Sequence, residues 1–140
     1  MDEVLIDTNI LVYAYQPEEG IKYARAIEIV KELAESERGR LSAQILAEFA
    51  SVTTKGKQSI VSVNEAHAQI AAFTRMFVVF DVTQFIVLEA MRGVREYRMS
   101  YYDAQIWATA KLNQVPTIFT EDFTHGRVVE TVRFINPFLG

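Results

Sequence analysis

The chain has no cysteine, which excludes disulfide frameworks and thiolate-bound zinc or iron–sulfur centres. Its two histidines, His67 and His125, are too few for a multi-histidine zinc site. Long apolar runs are missing as well. Stretches such as Ile10 to Tyr15 fall far short of the roughly 18 residues that span a bilayer. The opening Met1-Asp2-Glu3 is acidic where a secretory signal is basic. A soluble cytoplasmic protein with no membrane partner is the expectation. There is no excess of positive charge either: 14 Lys and Arg stand against 18 Asp and Glu, net −4. Bulk electrostatics therefore does not advertise nucleic-acid binding. Net charge is a global number, however, and hides local patterns such as an acid-lined site with basic residues around it.

What is present is apolar material in regular alternation. Half of the 140 residues are hydrophobic, enough for one domain with a real core over residues 1–140. Strands are expected at residues 3–6, 40–42, 77–80, 117–119 and 131–135, rich in Val, Leu, Ile and Phe. Between them the spacing predicts helices over 9–15, 21–37, 43–54, 64–75, 82–99 and 102–113. Gly39 reads as the stop of the second helix and Asn64 as the N-cap of the fourth. Ala24, Ile27, Val30 and Ala34 read as the apolar stripe of the second helix, and Ile45, Phe49 and Val52 as that of the third. Strands alternating with helices argue for an α/β fold of three layers, a central and mainly parallel sheet of four to five strands flanked by helices.

Four acids occupy suggestive places in this frame. Asp7 follows the strand Val4-Leu5-Ile6 and precedes a helix, where it can cap that helix or project into a site at the strand's carboxyl end. Glu48 lies beside the apolar stripe of its helix, at the border of the core. Ser100-x-x-Asp103 resembles a capping box, with Asp103 otherwise free to face a cation. Asp122 follows the strand 117–119. Carboxylates brought together repel, by about 4 kcal/mol for a pair about 4 Å apart at an effective dielectric constant of 20. A hard divalent cation removes that cost, and oxygen-only ligation suits Mg²⁺, with Mn²⁺ able to substitute.

The segments Asp7-Thr8-Asn9-Ile10-Leu11-Val12-Tyr13, Leu41-Ser42 leading to Glu48, Ser100-Tyr101-Tyr102-Asp103-Ala104 and Thr120-Glu121-Asp122-Phe123 occur in an order that resembles the PIN domain family. Within it the chain is similar to the VapC-type toxin ribonucleases. The resemblance implies a PIN-like fold with acids meeting at the strands' carboxyl ends. It implies Asp7 and Asp103 as principal Mg²⁺ ligands, Glu48 and Asp122 completing the catalytic pocket, and Thr8, Asn9 and Thr120 orienting them. The family's Thr-x-Asp spacing selects Asp122 over Glu121.

It further implies an endoribonuclease acting on RNA, a small cognate antitoxin and a homodimer. A PIN nuclease of RNA processing outside toxin–antitoxin systems, or a non-catalytic PIN-like module binding RNA or protein, are the alternatives. Arg127, Lys55 and Lys57 are candidates for reaching a phosphate. Arg92, Arg95 and Arg98 can do so or form a solvated helix face. His125 reads as an exposed loop histidine.

Overall fold

The computed structural model describes residues 2–139. Strand β1 (Val4–Ile6) leads into helix α1 (Thr8–Tyr13), a 3₁₀ turn at Pro17–Glu19 and helix α2 (Ile21–Glu35). Next come β2 (Gly39–Ser42), α3 (Ala43–Thr53), α4 (Val63–Met76) and β3 (Val78–Phe80). The chain then forms α5 (Gln84–Tyr97), α6 (Tyr101–Leu112) and β4 (Thr117–Phe119). It ends in a hairpin of β5 (Val128–Val129) and β6 (Val132–Ile135).

The sheet order is β3-β2-β1-β4-β6-β5, with every neighbour pair parallel except β5 with β6. Six strands thus replace the expected four to five. The addition is β5, two residues too short for any periodicity to show. From β1 the chain steps outward through β2 to β3, then returns to the other side of β1 as β4. Right-handed crossovers place the outward connections on one face and the return on the other, which produces the three layers. In such sheets ligands bind where the strand order reverses, outside the carboxyl ends. Here that point lies between β1 and β4.

Trp107, Phe49, Phe73 and Phe134 are the bulkiest fully buried side chains. Helix α6 is buried on all sides from Ala104 to Ala110, because it is wedged between α5 and the sheet. Gly93 of α5 allows this approach: a Cβ there would stand 2.9 Å from the Trp107 ring. In α2 the buried residues are Ala26, Ile29 and Leu33, one position off the expected stripe, and Ile27 is 40% exposed.

Three local expectations are corrected. Gly39 opens β2 and ends no helix; the left-handed residue after α2 is Glu37, and Gly39 has no side chain because the Phe77 ring fills that space. Helix α4 is capped by Ser62, not Asn64, through a reciprocal capping box with Glu65. The resembling box at Ser100 does not form, since that N-cap makes no side-chain bond.

An ion-pair network ties α5, α6 and the β5–β6 turn together. Arg92 pairs with Glu89 at 2.7 Å, Glu96 at 2.8 Å and Glu130 at 2.8 Å, while Lys111 pairs with Glu130 at 2.7 Å and with Glu89. Both cations stand over the Trp107 ring. Hydrogen bonds, from Arg92 to Glu89 and from Lys111 to Glu130, hold both carboxyls down to about 2. Groups depressed below their unfolded value of 4.5 stabilise the fold above that pH, and the contribution is lost as pH falls towards 2. The urea midpoint is therefore expected to drop between pH 4.5 and 2, and less steeply in Glu89→Gln. Parallel curves for the two proteins would remove this network as the cause.

Candidate functional site

β1 and β4 pair in register, Ile6 beside Phe119, and the Asp7 N–H donates to the Phe119 carbonyl at 2.9 Å. The two strands thus release Asp7 and Thr120 side by side, although 113 positions separate them. Asp7 is the N-cap of α1 and is 3% exposed. One carboxylate oxygen accepts from the Thr8 N–H at 2.7 Å, the other from the Thr120 hydroxyl at 2.7 Å. Burial pushes this carboxyl up to about 7, against those two bonds and with help from the charges of Asp122 and Glu48.

Thr120, 1% exposed, does two things. While its hydroxyl donates to Asp7, its oxygen accepts from the Asp122 N–H at 3.1 Å. The Thr-x-Asp spacing is thus a turn in which one hydroxyl sets both carboxylates. Asp122 lines the cleft and Glu121 does not. Glu121 instead accepts from the Tyr13 hydroxyl and from Lys22 at 3.0 Å. Burial raises the Asp122 carboxyl, and the charges of Asp103 and Glu121 add to the push.

Glu48 is reached through α3, whose register differs from expectation. Ile45, Phe49 and Thr53 face the core, whereas Glu48 and Val52 face the cleft, Val52 being 46% exposed. The Glu48 carboxyl is raised, first by burial and then by the charges of Asp103 and Asp122, against a hydrogen bond from Gln44. That bond belongs to a relay no motif reading singles out. Tyr101 donates to Gln105 at 2.8 Å, Gln105 to Gln44 at 2.8 Å, and Gln44 to Glu48 at 2.7 Å. Gln44 also donates to the Tyr102 carbonyl at 3.2 Å, tying α3 to the first turn of α6 that carries Asp103. A buried glutamine one helical turn before an acid was the available signal.

A cleft of 410 Å³ opens at this point, walled by Asp7, Asn9, Tyr13, Glu48, Val52 and Asp122. Asp103 is not among the residues that line it, and its tie to the site is the charge it exerts on Glu48 and Asp122. Among the described residues no three carboxylate or imidazole groups close on a single point as a ready-made cation cage. The donor set nevertheless fits a hydrated hard cation such as Mg²⁺. It is oxygen-only, and beside Asp7 the Thr8 hydroxyl and both amide atoms of Asn9 are buried without a hydrogen-bond partner. Groups of that kind suit the water shell of an ion that keeps several of its waters.

The basic candidates divide. Lys55 and Lys57 sit in an exposed turn after α3, between the cleft residues Val52 and Ile60, and Arg127 is exposed just before β5. Arg92 is consumed by its ion pairs, Arg95 pairs with Glu96 at 3.2 Å, and Arg98 is the left-handed C-cap of α5. His125 accepts from the Asn136 N–H at 3.0 Å through Nδ1, fastening the loop after β4 to the residue just past β6. No helix among the described residues is long and apolar enough to cross a membrane.

Solved structures share this fold at low identity. VapC20 of Mycobacterium tuberculosis, a sarcin–ricin loop cleaving toxin, superposes with a TM-score of 0.67 at 18% identity, covering 94% of this chain and 99% of that one. VapBC2 of Rickettsia felis, bound to a DNA fragment from its promoter, does so with 0.66 at 16%, covering 94% and 96%. FitAcB of Neisseria gonorrhoeae gives 0.67 at 20%, covering 96% and 98%. No curated protein sequence matches the chain. The family match spans residues 4–130, and so includes all four acids and the strands and helices that position them. The chain belongs to the PIN domain family.

Proposed function

We propose that this protein is a Mg²⁺-dependent endoribonuclease, the toxic component of a type II toxin–antitoxin pair. The observation that carries the proposal is a cleft at the switch point of the sheet that Asp7, Glu48 and Asp122 line together, with the charge of Asp103 reaching Glu48 and Asp122. Asp7 and Asp103 are assigned as the principal ligands, with Glu48 and Asp122 completing the pocket; Mn²⁺ can take the place of Mg²⁺. When bound, the ion supplies an activated water and neutralises the charge that builds on a phosphate during hydrolysis.

The chain's own residues do the rest. Thr120 and the Thr8 N–H aim the Asp7 carboxylate, and the Gln44 amide aims Glu48. Tyr13 and Lys22 hold Glu121 aside, so that Asp122 alone of the two faces the cleft. Lys55, Lys57 and Arg127, all exposed, are assigned to hold RNA phosphates further along the strand, since an acid-lined cleft needs cations outside it. Single-stranded or loop RNA is the fitting substrate, because its backbone can be splayed into a recess.

Several of the similar solved structures are toxin–antitoxin complexes, which supports a small antitoxin as the partner here. A homodimer in the cytoplasm is part of the same reading. The test is cleavage of single-stranded RNA by the purified protein with Mg²⁺, with EDTA, and by Asp103→Asn. Cutting is expected only from the wild type in Mg²⁺. Cleavage that survives both chelation and the substitution would mean that another site or a contaminant does the chemistry.

A further inference from the structure

A second depression, of 550 Å³, adjoins the acid cleft, and Glu48 lines both. Its walls are Ala43 and Ala47 of α3, Val82 after β3, and Tyr102 of α6, with Gln105 among its lining. We propose that it is a pocket for one unpaired nucleobase of the RNA, stacked on Tyr102. The inference rests on the nuclease reading and adds where the neighbouring nucleotide goes.

Tyr102 is 66% exposed, and among the described aromatic residues only Phe85, at 64%, is comparably open. Tyr102 shares the depression with Glu48, which also lines the acid cleft, so its ring lies next to the acids' site through that residue. It is also held in place. The Tyr101 ring meets it edge-on at 5.2 Å and 81°, and its carbonyl accepts from Gln44. A fixed, exposed aromatic face is what an extruded base stacks on. Small residues at Ala43 and Ala47 leave room opposite that ring.

The polar groups suit a base edge and not a phosphate. Gln105, 6% exposed, donates one amide hydrogen to Gln44 and accepts one bond from Tyr101. One N–H and one carbonyl lone pair remain, a donor and an acceptor side by side. No Lys or Arg lines the depression, and Glu48 at its border repels an anion. Mostly apolar walls with a few placed polar groups are the usual make-up of a site for a flat neutral ligand.

The test is binding of a short single-stranded RNA carrying one 2-aminopurine, moved position by position, with Ca²⁺ in place of Mg²⁺. Wild type is expected to quench the probe severalfold at one position. Tyr102→Ala, and Ala47→Leu, which fills the space, should abolish that quenching and weaken binding by on the order of tenfold, as loss of one base–aromatic stack does. Tyr102→Phe should keep both, and circular dichroism checks that each variant is folded. No quenching at any position in the wild type, or quenching that survives in both variants, overturns the pocket. The latter is also the result if the depression receives a protein segment. A parallel Mg²⁺ cleavage assay separates the two claims. Quenching without cutting upholds the pocket and removes the nuclease, while cutting without quenching removes the pocket alone.

Discussion

Asp7→Asn is expected to lower RNA cleavage by on the order of a thousandfold or more, beyond the 10–100-fold that losing an orienting partner costs. In the same protein the metal-free fold should become more stable above pH 7. Both follow from one feature, a carboxylate that is 3% exposed. Its pKa is raised from 3.8 to about 7, first by burial, so the folded state holds this proton more tightly than the unfolded chain does. Stability from that proton is fully present below pH 3.8 and is lost as pH rises through 7. At 1.36 kcal/mol per pH unit, the loss is at most about 4 kcal/mol.

An amide removes the charge and keeps the shape. Its oxygen can still accept from the Thr8 N–H, and its NH₂ can face the Thr120 oxygen, at the cost of reorienting that hydroxyl. Thermal unfolding with EDTA should therefore show Asp7→Asn a few degrees above wild type at pH 8 and level with it near pH 4. A lower melting temperature at pH 8 would mean that the ionised carboxylate is paired in the fold and not merely tolerated. Taken with the Glu89–Arg92 network, the metal-free protein should be most stable between the two titrations, around pH 4 to 5.

Thr120→Val is expected to reduce cleavage by about 10–100-fold, the range for removing a group that orients a metal ligand. Valine keeps the volume, and the site is fully buried, so packing is nearly unchanged. What disappears is one hydroxyl with two bonds, to the Asp7 carboxylate at 2.7 Å and from the Asp122 N–H at 3.1 Å. Leaving the Asp7 oxygen unsatisfied costs about 1–3 kcal/mol of stability as well. Thr120→Ser restores the hydroxyl and should return cleavage to within a few-fold of wild type, with Mn²⁺ affinity following the same order. If serine fails where valine fails, the methyl contact matters and the hydroxyl does not.

Much of this was legible in the chain because it is local. β1 running into Asp7 needs only a few consecutive residues to be recognised, and α3 starting after Ser42 shows the same pattern. The order of the four acids could be read too, through the resemblance to PIN domains. What was not legible is non-local or a matter of one position. The pairing of β1 with β4, which brings Thr120 to Asp7, depends on strand order. The Tyr101–Gln105–Gln44–Glu48 relay crosses from α6 to α3, and nothing in either segment announces the other.

Val52 reads as core by its type, yet it sits on the Glu48 face because a helix with Ile45, Phe49 and Thr53 inward turns it out. Gly39 reads as a helix stop by type, whereas its lack of a side chain is required by the distant Phe77 ring that occupies that space. At α4 the expected Asn64 lies two residues past the true cap, Ser62, whose capping box is closed by the acid three positions on.

Everything proposed for this site requires that the four acids hold one cation between them. The most direct measurement is a crystal soaked in Mn²⁺ and read by anomalous scattering, for the wild type and for Asp7→Asn. A peak between Asp7 and Asp103 in the wild type, lost in the variant, is the expected result. No peak there at high occupancy of other sites, or a peak that persists unchanged without the Asp7 carboxylate, would contradict it.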